Sequence, residues 1–409
     1  MSDKSRIDGQ KMDLHPARIA AWLAAKDDWD KAKDIFPMYM EISPIGVCNH
    51  ECTFCSVDYM LDRKDAPKLA GVVLERTLVN AAVRGVLSVM FAGAGEPLLW
   101  RGEMPGQNLG DIILHADKVN LDTAITSNSV LLTSEFCEKA FQAKCLRWIR
   151  TSINAGDAGT YAKIHRTKPK DFYRVLQNLE QAVKIRDRMG SGVQILGQIV
   201  VVPEAEGTSR RSDIPERYPS NIHTVIPLAK LLRDIGVDNL AVKPYTQHMV
   251  CGTSRTRMYK DVTYKKMMDA FAEVETLATE KFEVTVRYQT MKNWDAEERG
   301  YKTCYSTPYH WAYVEADGEV WGCSAYVGRM EAGKEVAGDH RFRFGNVNNQ
   351  LFSEIWQGER RKACWEYTRK PSLEGGLDVN KCMRNCQMDK PNRWLDELVH
   401  PVPTVNFIK

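Results

Sequence analysis

From Met38 onward, short apolar runs alternate with longer segments whose apolar positions recur at helical spacing. The short runs, 38–43, 86–92, 122–126, 148–153, 193–201 and 239–243, have the length and composition of strands. Between them, Phe172, Val175, Leu176, Leu179 and Val183 fall on one helix face. Leu228, Leu231, Leu232 and Ile235 do the same and run into Gly236, a residue suited to ending a helix. Repeated strand–helix units predict an α/β fold, a parallel sheet with helices outside it. Ligands of such sheets sit beyond the carboxyl ends of the strands. The units fill about 38–255 and are too few for an eightfold closed barrel.

The flanks read differently. Residues 1–37 are expected to form a helical extension, with Pro16 in a first turn and Ile19, Ala20, Trp22 and Leu23 as an apolar stripe. Residues 259–282 read as one long helix and 283–288 as a strand, which makes 256–300 a mainly helical linker. At Tyr301 the composition becomes rich in aromatics and cysteine, so 301–409 is expected to be a second domain.

Composition narrows the function classes. The net charge of +3 comes from nearly balanced signs, so neither nucleic acid nor an anionic membrane is an expected partner. The first residues, Met1-Ser-Asp-Lys-Ser-Arg, hold no apolar core of signal-peptide length, and no apolar run is long enough to span a bilayer. The expected location is the cytoplasm. There, 11 cysteines point to metal ligation more than to disulfides, because thiols stay reduced.

Three of those cysteines, Cys48, Cys52 and Cys55, lie in Cys-Asn-His-Glu-Cys-Thr-Phe-Cys directly after the first expected strand. Three thiolates on one loop can converge on a single metal centre, and a count of three leaves one coordination position open to substrate. The Cys-x3-Cys-x2-Cys spacing, with Phe54 before the last cysteine, resembles the signature of the radical SAM enzymes. The resemblance implies a partial (β/α)6 barrel and a [4Fe–4S] cluster held by Cys48, Cys52 and Cys55. Its fourth iron would be chelated by S-adenosylmethionine (SAM), with Phe54 beside the adenine.

Polar groups gather at the ends of the later strands. Phe91-Ala-Gly93-Ala-Gly95-Glu96-Pro97 allows close backbone approach at its glycines and offers the Glu96 carboxylate to an ammonium group. It resembles the family's Gly-Gly-Glu motif for the methionine amine. Ser127, Asn128, Ser152 and Asn154 resemble the positions that bind the ribose and the methionine carboxylate. Ser152 and Asn154 are spaced to reach from one side of a strand, and Gln198 is either a further contact or a buried structural amide. The sixth strand runs into Lys243-Pro-Tyr-Thr-Gln247-His248-Met-Val-Cys251. Lys243, Gln247 and His248 are suited to binding a polar substrate or moving protons. Cys251 is either a hydrogen-atom donor, as in some radical SAM epimerases, or a small buried residue. Cys137 and Cys145 read as core.

Near the end, Cys304 and Cys323 flank a hairpin with Asp317-Gly318 at its turn, and Cys382-Met-Arg-Asn-Cys386 follows. Four thiolates make a closed iron–sulfur or zinc site. The Cys-x13-Gly-x4-Cys spacing, Phe344-Gly-Asn-Val and Ser353-Glu-Ile-Trp356 resemble SPASM and twitch domains. The resemblance implies one auxiliary [4Fe–4S] cluster on Cys304, Cys323, Cys382 and Cys386, with Cys364 a spare thiol or competing ligand. The implied function is cleavage of SAM to a 5′-deoxyadenosyl radical, fed by a one-electron donor such as flavodoxin or ferredoxin. The radical would take hydrogen from a sugar, aminocyclitol or nucleotide sugar, giving dehydrogenation, epimerisation or dehydration. A peptide-modifying maturase is the alternative within the family, though residues 1–37 are too short for an added peptide-binding module. A protein that only carries electrons would leave the open coordination position and the polar strand ends without a use.

Overall fold

A computed structural model describes residues 6–58, 65–208, 215–245, 264, 267–296, 298–331 and 334–406. Its centre is a ten-stranded sheet. Strands β1 (Tyr39–Ile42), β2 (Ser88–Phe91), β3 (Asp122–Ser127), β4 (Leu146–Ser152) and β5 (Gln194–Val201) pair in sequence, each parallel to the last. A small antiparallel ribbon, β6 (Ala205–Thr208) and β7 (Pro215–Tyr218), interrupts the order. Then β8 (Asn239–Pro244) pairs with β5, and β9 (Glu283–Val286) closes that edge. Apart from the β6–β7 ribbon, which the periodicity does not anticipate, these strands match the expected ones to within three residues at each end, and their parallel order is the one the expected partial barrel requires.

The other edge belongs to the C-terminal part. Strand β10 (Trp311–Val314) lies parallel to β1, with Tyr39 opposite Trp311 and Ile42 opposite Val314. Strand β11 (Glu319–Trp321) returns from the Asp317-Gly318 turn and pairs with β10. A second ribbon, β12 (Arg329–Glu331) with β13 (Lys334–Ala337), precedes β14 (Arg343–Asn346), which covers β11. The sheet therefore runs without a break from the barrel into the cysteine-rich region.

Helices α1 (Pro16–Ala25) and α2 (Trp29–Ala32) come before β1. Helices α3 (Gly71–Val83), α4 (Leu109–Lys118), α5 (Ser134–Ala140), α6 (Ala158–His165), α7 (Pro169–Met189) and α8 (Val225–Ile235) form the outer layer. In α7, Phe172, Val175, Leu179 and Val183 are buried, as the periodicity predicts, and Gly236 ends α8 in the left-handed conformation. The helix expected over 259–282 is present in its described part as α9 (Met268–Glu275) and stops there. Thr279 explains the early end: its hydroxyl accepts from the amides of Lys281 and Phe282 at 3.3 and 3.1 Å, giving the chain a local alternative to helix. Helices α10 (Tyr288–Asp295), α11 (Phe352–Trp356), α12 (Glu359–Arg369) and α13 (Asp389–Val399) complete the chain. None of the described helices is long and apolar enough to cross a membrane.

The N-terminal extension is locked to the C-terminal region. In α1 the buried stripe is Ile19, Trp22 and Ala25; Leu23 of the expected stripe is exposed, and Ala20 also faces outward. Trp22 packs edge-on against Tyr305, Tyr309 and His310. The fully buried Arg361 of α12 donates to the carbonyls of Ala32, Lys33, Ile35, Pro308 and Trp356. The Asp8 carboxylate accepts from the Gln289 and Thr290 amides at the start of α10 and from Lys390 of α13.

Strand alternation sets the barrel interior. Met40 and Ile42 join the core beneath the helices, so Tyr39 and Glu41 face inward, as do Arg150 and Ser152 of β4, Gln198 of β5 and Lys243 of β8.

Candidate active site

The carboxyl ends of the parallel strands open on a cleft of about 220 Å³. Cys48, Cys52 and Cys55 line it, with Phe54, Gly93, Gly95, Glu96, Ser127, Asn128, Ser152, Asn154, Gln198 and Lys243. Groups scattered over nearly 200 residues of sequence thus meet at one place. Pro97 stands behind it, buried at the start of a 3-10 turn. His248 and Cys251, and Gln247 beside them, lie outside the described residues.

The cysteine loop is held by helix α6. The amides of Thr53 and Glu51 donate to the carbonyls of Ile164 and His165, the free last carbonyls of that helix. The His165 ring stands 3.0 Å from the Cys52 sulfur through Nδ1, while its Nε2 donates to the Ile153 carbonyl at 3.0 Å, just past β4. His50 packs against His165 and Tyr161, and neither of its ring nitrogens has a partner. Burial pulls His50 down to about 4 and His165 to about 3, so both rings are neutral. The sequence reading missed both. His50 was visible between the first two cysteines; His165, over a hundred residues away, had no local signal.

The loop after β2 shows why glycine is needed. Gly95 has φ +141°, and a Cβ there would fall on the Ile45 carbonyl and within 2.9 Å of the Val47 carbonyl. Gly93, at φ +103°, faces the Tyr313 hydroxyl of β10. Glu96 is buried and much engaged: Oε1 accepts from Ser127 Oγ at 2.6 Å and from the Leu98 amide, and Oε2 from the Asn128 amide at 2.7 Å. Burial raises its carboxyl above the usual range. A carboxylate has about four acceptor sites, so one remains for a ligand ammonium. Asn128 also donates to Asn49 in the cysteine loop at 2.6 Å.

Asn154 corrects the alternation argument. Strand β4 ends at Ser152, and Asn154 sits beyond it at φ +56°, so period-two geometry no longer applies. Its side chain accepts from the Val200 amide at 2.8 Å and donates to the Ser152 carbonyl at 3.2 Å, serving the backbone while lining the cleft. Gln198 donates to Ser152 Oγ at 3.2 Å.

Beneath these groups lies a charged interior. Burial, then Arg287 and Arg150, pull Lys243 down to about 7. Burial raises Glu41 to about 7 against the opposing pull of Lys243 and the Tyr39 hydroxyl. The Arg150 guanidinium lies 4.4 Å over the Trp148 ring with its Nε unpartnered. No hydrogen bond or ion pair engages the Lys243 ammonium among the described residues.

The second cysteine set also comes together. Cys304, Cys323, Cys382 and Cys386 are partly buried, and each acts electrostatically on others of the set. Tyr326 Oη lies 3.2 Å from the Cys382 sulfur, and Asn392 donates to the Cys304 sulfur at 3.4 Å. Arg299 holds the last loop by donating to the Val379 and Met383 carbonyls at 2.7 and 2.6 Å and to Asp389 at 2.9 Å. Asn385 then ties that loop to the Tyr245 carbonyl at the end of β8. Cys364 is fully buried on α12, near Cys304; Cys137 and Cys145 are core residues.

Both thiol sets suit iron–sulfur clusters. Among the described residues, His50, Cys52 and His165 are the one set of three ligand atoms within 4.8 Å of one another. Neither cysteine set is that tight, whereas four sulfurs on one tetrahedral zinc would stand roughly 3.8 Å apart, from Zn–S bonds near 2.3 Å. Burial first, then Cys55 and Cys48, push the Cys52 thiol well up; burial and the other three cysteines do so for Cys323. Thiolates crowded in that way need a cationic centre between them.

Comparison with known proteins agrees. The Radical SAM superfamily matches residues 42–205, and the iron–sulfur cluster-binding SPASM domain matches 304–387. No curated protein matches the chain. Among solved structures, SuiB of Streptococcus suis bound to S-adenosylmethionine superposes with a TM-score of 0.58 at 17% identity, over 84% of this chain and 73% of SuiB. The anSMEcpe structure with bound AdoMet gives 0.53 at 16%, over 91% and 96%. The two domains bring a SAM-binding [4Fe–4S] cluster and auxiliary iron–sulfur ligation. This chain belongs to the radical SAM superfamily and carries a C-terminal SPASM domain.

Proposed function

We propose that this protein is a radical SAM dehydrogenase acting on a small polar substrate, of the sugar, aminocyclitol or nucleotide-sugar class. Cys48, Cys52 and Cys55 would hold the SAM-binding cluster, and Cys304, Cys323, Cys382 and Cys386 one auxiliary cluster. With SAM and a one-electron donor, the first cluster supplies a 5′-deoxyadenosyl radical that takes hydrogen from carbon. Glu96, with Ser127 and Asn128 locked to it, orients the amine end of SAM, and Phe54 flanks the adenine. Ser152 and Gln198 present a hydroxyl and an amide to the ligand.

The observation that carries the reading is Lys243: its amine lines the cleft with no hydrogen bond or ion pair among the described residues, and burial, Arg287 and Arg150 pull it down to about 7, which suits a proton acceptor near neutrality. Oxidising an alcohol or amine carbon releases a proton, and Lys243 Nζ accepts it. The auxiliary set stands by the end of β8 through the Asn385–Tyr245 contact, next to where that chemistry would occur. A peptide substrate is the second reading. It is favoured by the fold of SuiB, solved with its precursor peptide SuiA.

The test is 5′-deoxyadenosine formation by anaerobically reconstituted protein, with separate pools of sugars, aminocyclitols, sugar nucleotides and peptides. Stimulation by a member of the first three pools, with an oxidised product, supports the proposal. Stimulation confined to peptides replaces it with the maturase reading.

A further inference from the structure

Two of the four C-terminal cysteines face a side-chain donor from another part of the fold. Asn392, on α13 and 1% exposed, brings Nδ2 to 3.4 Å from the Cys304 sulfur. Its orientation is forced: Oδ1 accepts from the Ser306 amide at 2.8 Å, so the nitrogen is the end left for the sulfur. Turned over, the amide would set a donor against the Ser306 N–H and an oxygen against a thiolate.

Tyr326 does the same for Cys382. It ends the short 3-10 turn Ser324–Tyr326 directly after Cys323, and its hydroxyl crosses to the Cys382 sulfur at 3.2 Å. Phe342 holds the ring in place, stacked on it with centroids 4.2 Å apart and planes 4° from parallel. Phe342 is itself buried and packs edge-on against Tyr367. A thiolate bound to iron has no proton to give, so the hydroxyl is the donor in the contact with Cys382. Arg299, a cation of the same region, is already answered by Asp389 at 2.9 Å.

We propose that Tyr326 and Asn392 are positioning residues for electron transfer: their hydrogen bonds to the Cys382 and Cys304 sulfurs raise the reduction potential of the auxiliary cluster and fit it to accept an electron. This rests on the four-cysteine ligand set and on the dehydrogenase reading. An electron added to an iron–sulfur cluster increases the negative charge on its sulfurs, so a donor aimed at a sulfur stabilises the reduced state more than the oxidised one. In the step, the carbon radical left by hydrogen abstraction gives one electron to the auxiliary cluster and its O–H or N–H proton to Lys243 Nζ, and a C=O or C=N bond forms.

The test is a redox titration with dithionite, followed by electron paramagnetic resonance. The full chain is reconstituted in a Cys48→Ala, Cys52→Ala, Cys55→Ala background, so that the auxiliary cluster alone is titrated. Tyr326→Phe keeps the ring on Phe342 and removes only the hydroxyl. It is expected to lower the midpoint by about 59 mV, a tenfold change in a one-electron equilibrium. Asn392→Asp keeps the acceptor for Ser306 and turns a negative oxygen toward Cys304, and is expected to lower the midpoint further than Tyr326→Phe does. A midpoint that stays or rises in either variant, at an iron content of about four atoms per chain, overturns the proposal. A background protein with no four-iron signal overturns the auxiliary-cluster reading and this inference with it. The titration uses no substrate, so a failed substrate search would sink the dehydrogenase reading without altering the measured shift.

Discussion

A single side chain decides most where its surroundings leave no substitute, and three residues of the cleft illustrate this. Cys48→Ala is expected to abolish SAM cleavage and to lower iron from about eight to about four atoms per chain, because one of two four-iron clusters is lost. Iron analysis with 5′-deoxyadenosine assay checks both. Gly95→Ala pays twice, in its φ of +141° and in its collision with the Ile45 and Val47 carbonyls. The expected cost is at least about 1–3 kcal/mol in denaturant unfolding, together with weakened SAM binding measured by equilibrium dialysis. Lys243→Met is expected to keep SAM cleavage but to lose the rise in product formation as pH increases through about 7, since the neutral amine accumulates above that value. A pH–rate profile of the two proteins distinguishes that outcome. The cysteines were legible because thiols at fixed spacing announce metal chemistry. His165 was not, because a histidine over a hundred residues from the cysteine loop carries no local sign of the sulfur it reaches.

At the scale of elements, strands and helices followed from periodicity wherever one face is core. Helix α7 buries Phe172, Val175, Leu179 and Val183 of the predicted face and half-buries Leu176, and α8 ends at the predicted glycine, because these positions serve burial and backbone geometry. The reading weakened where a side chain competed for the backbone, as Thr279 does after α9. It weakened again at Asn154, where a left-handed residue beyond β4 replaces strand alternation. His310, between the hairpin and α1, carries a pH effect that belongs at this scale. Burial, with Arg18 and Arg361 nearby, pulls it down to about 3. Its folded pKa therefore lies below its unfolded value of about 6.5. Above that value the neutral ring costs nothing; as pH falls from 6.5 toward 3, protonation of the unfolded chain removes stability. His310→Phe is expected to make the loss shallower by about 1.4 kcal/mol per pH unit in that window. Urea unfolding at a series of pH values measures the difference.

Over the whole molecule, the N-terminal extension and the cysteine-rich region form one structural unit with the barrel. Trp22 fills a pocket made by Tyr305, Tyr309 and His310, and Arg361 satisfies five carbonyls from both ends of the chain. Trp22→Ala is expected to cost about 3–5 kcal/mol. Because β10 is hydrogen-bonded to β1, that loss is expected to lower a single thermal transition and to release iron from both sites together. Calorimetry and iron retention, followed on one heating ramp, would expose two independent units if the transitions separated.

By itself the sequence determined the class of chemistry and the repeating strand–helix pattern. Both rest on short-range regularities: thiol spacing within a loop, hydrophobic period within an element, and glycine where the backbone must turn. Only the tertiary structure decided that β10 extends the barrel sheet, that His165 reaches Cys52, and that Asn385 ties the last cysteine loop to the end of β8. Each of these joins residues more than a hundred positions apart. Such pairings depend on how strands are ordered around the barrel and on the burial that makes an unpartnered polar group costly, and neither quantity is written in any local stretch of the chain.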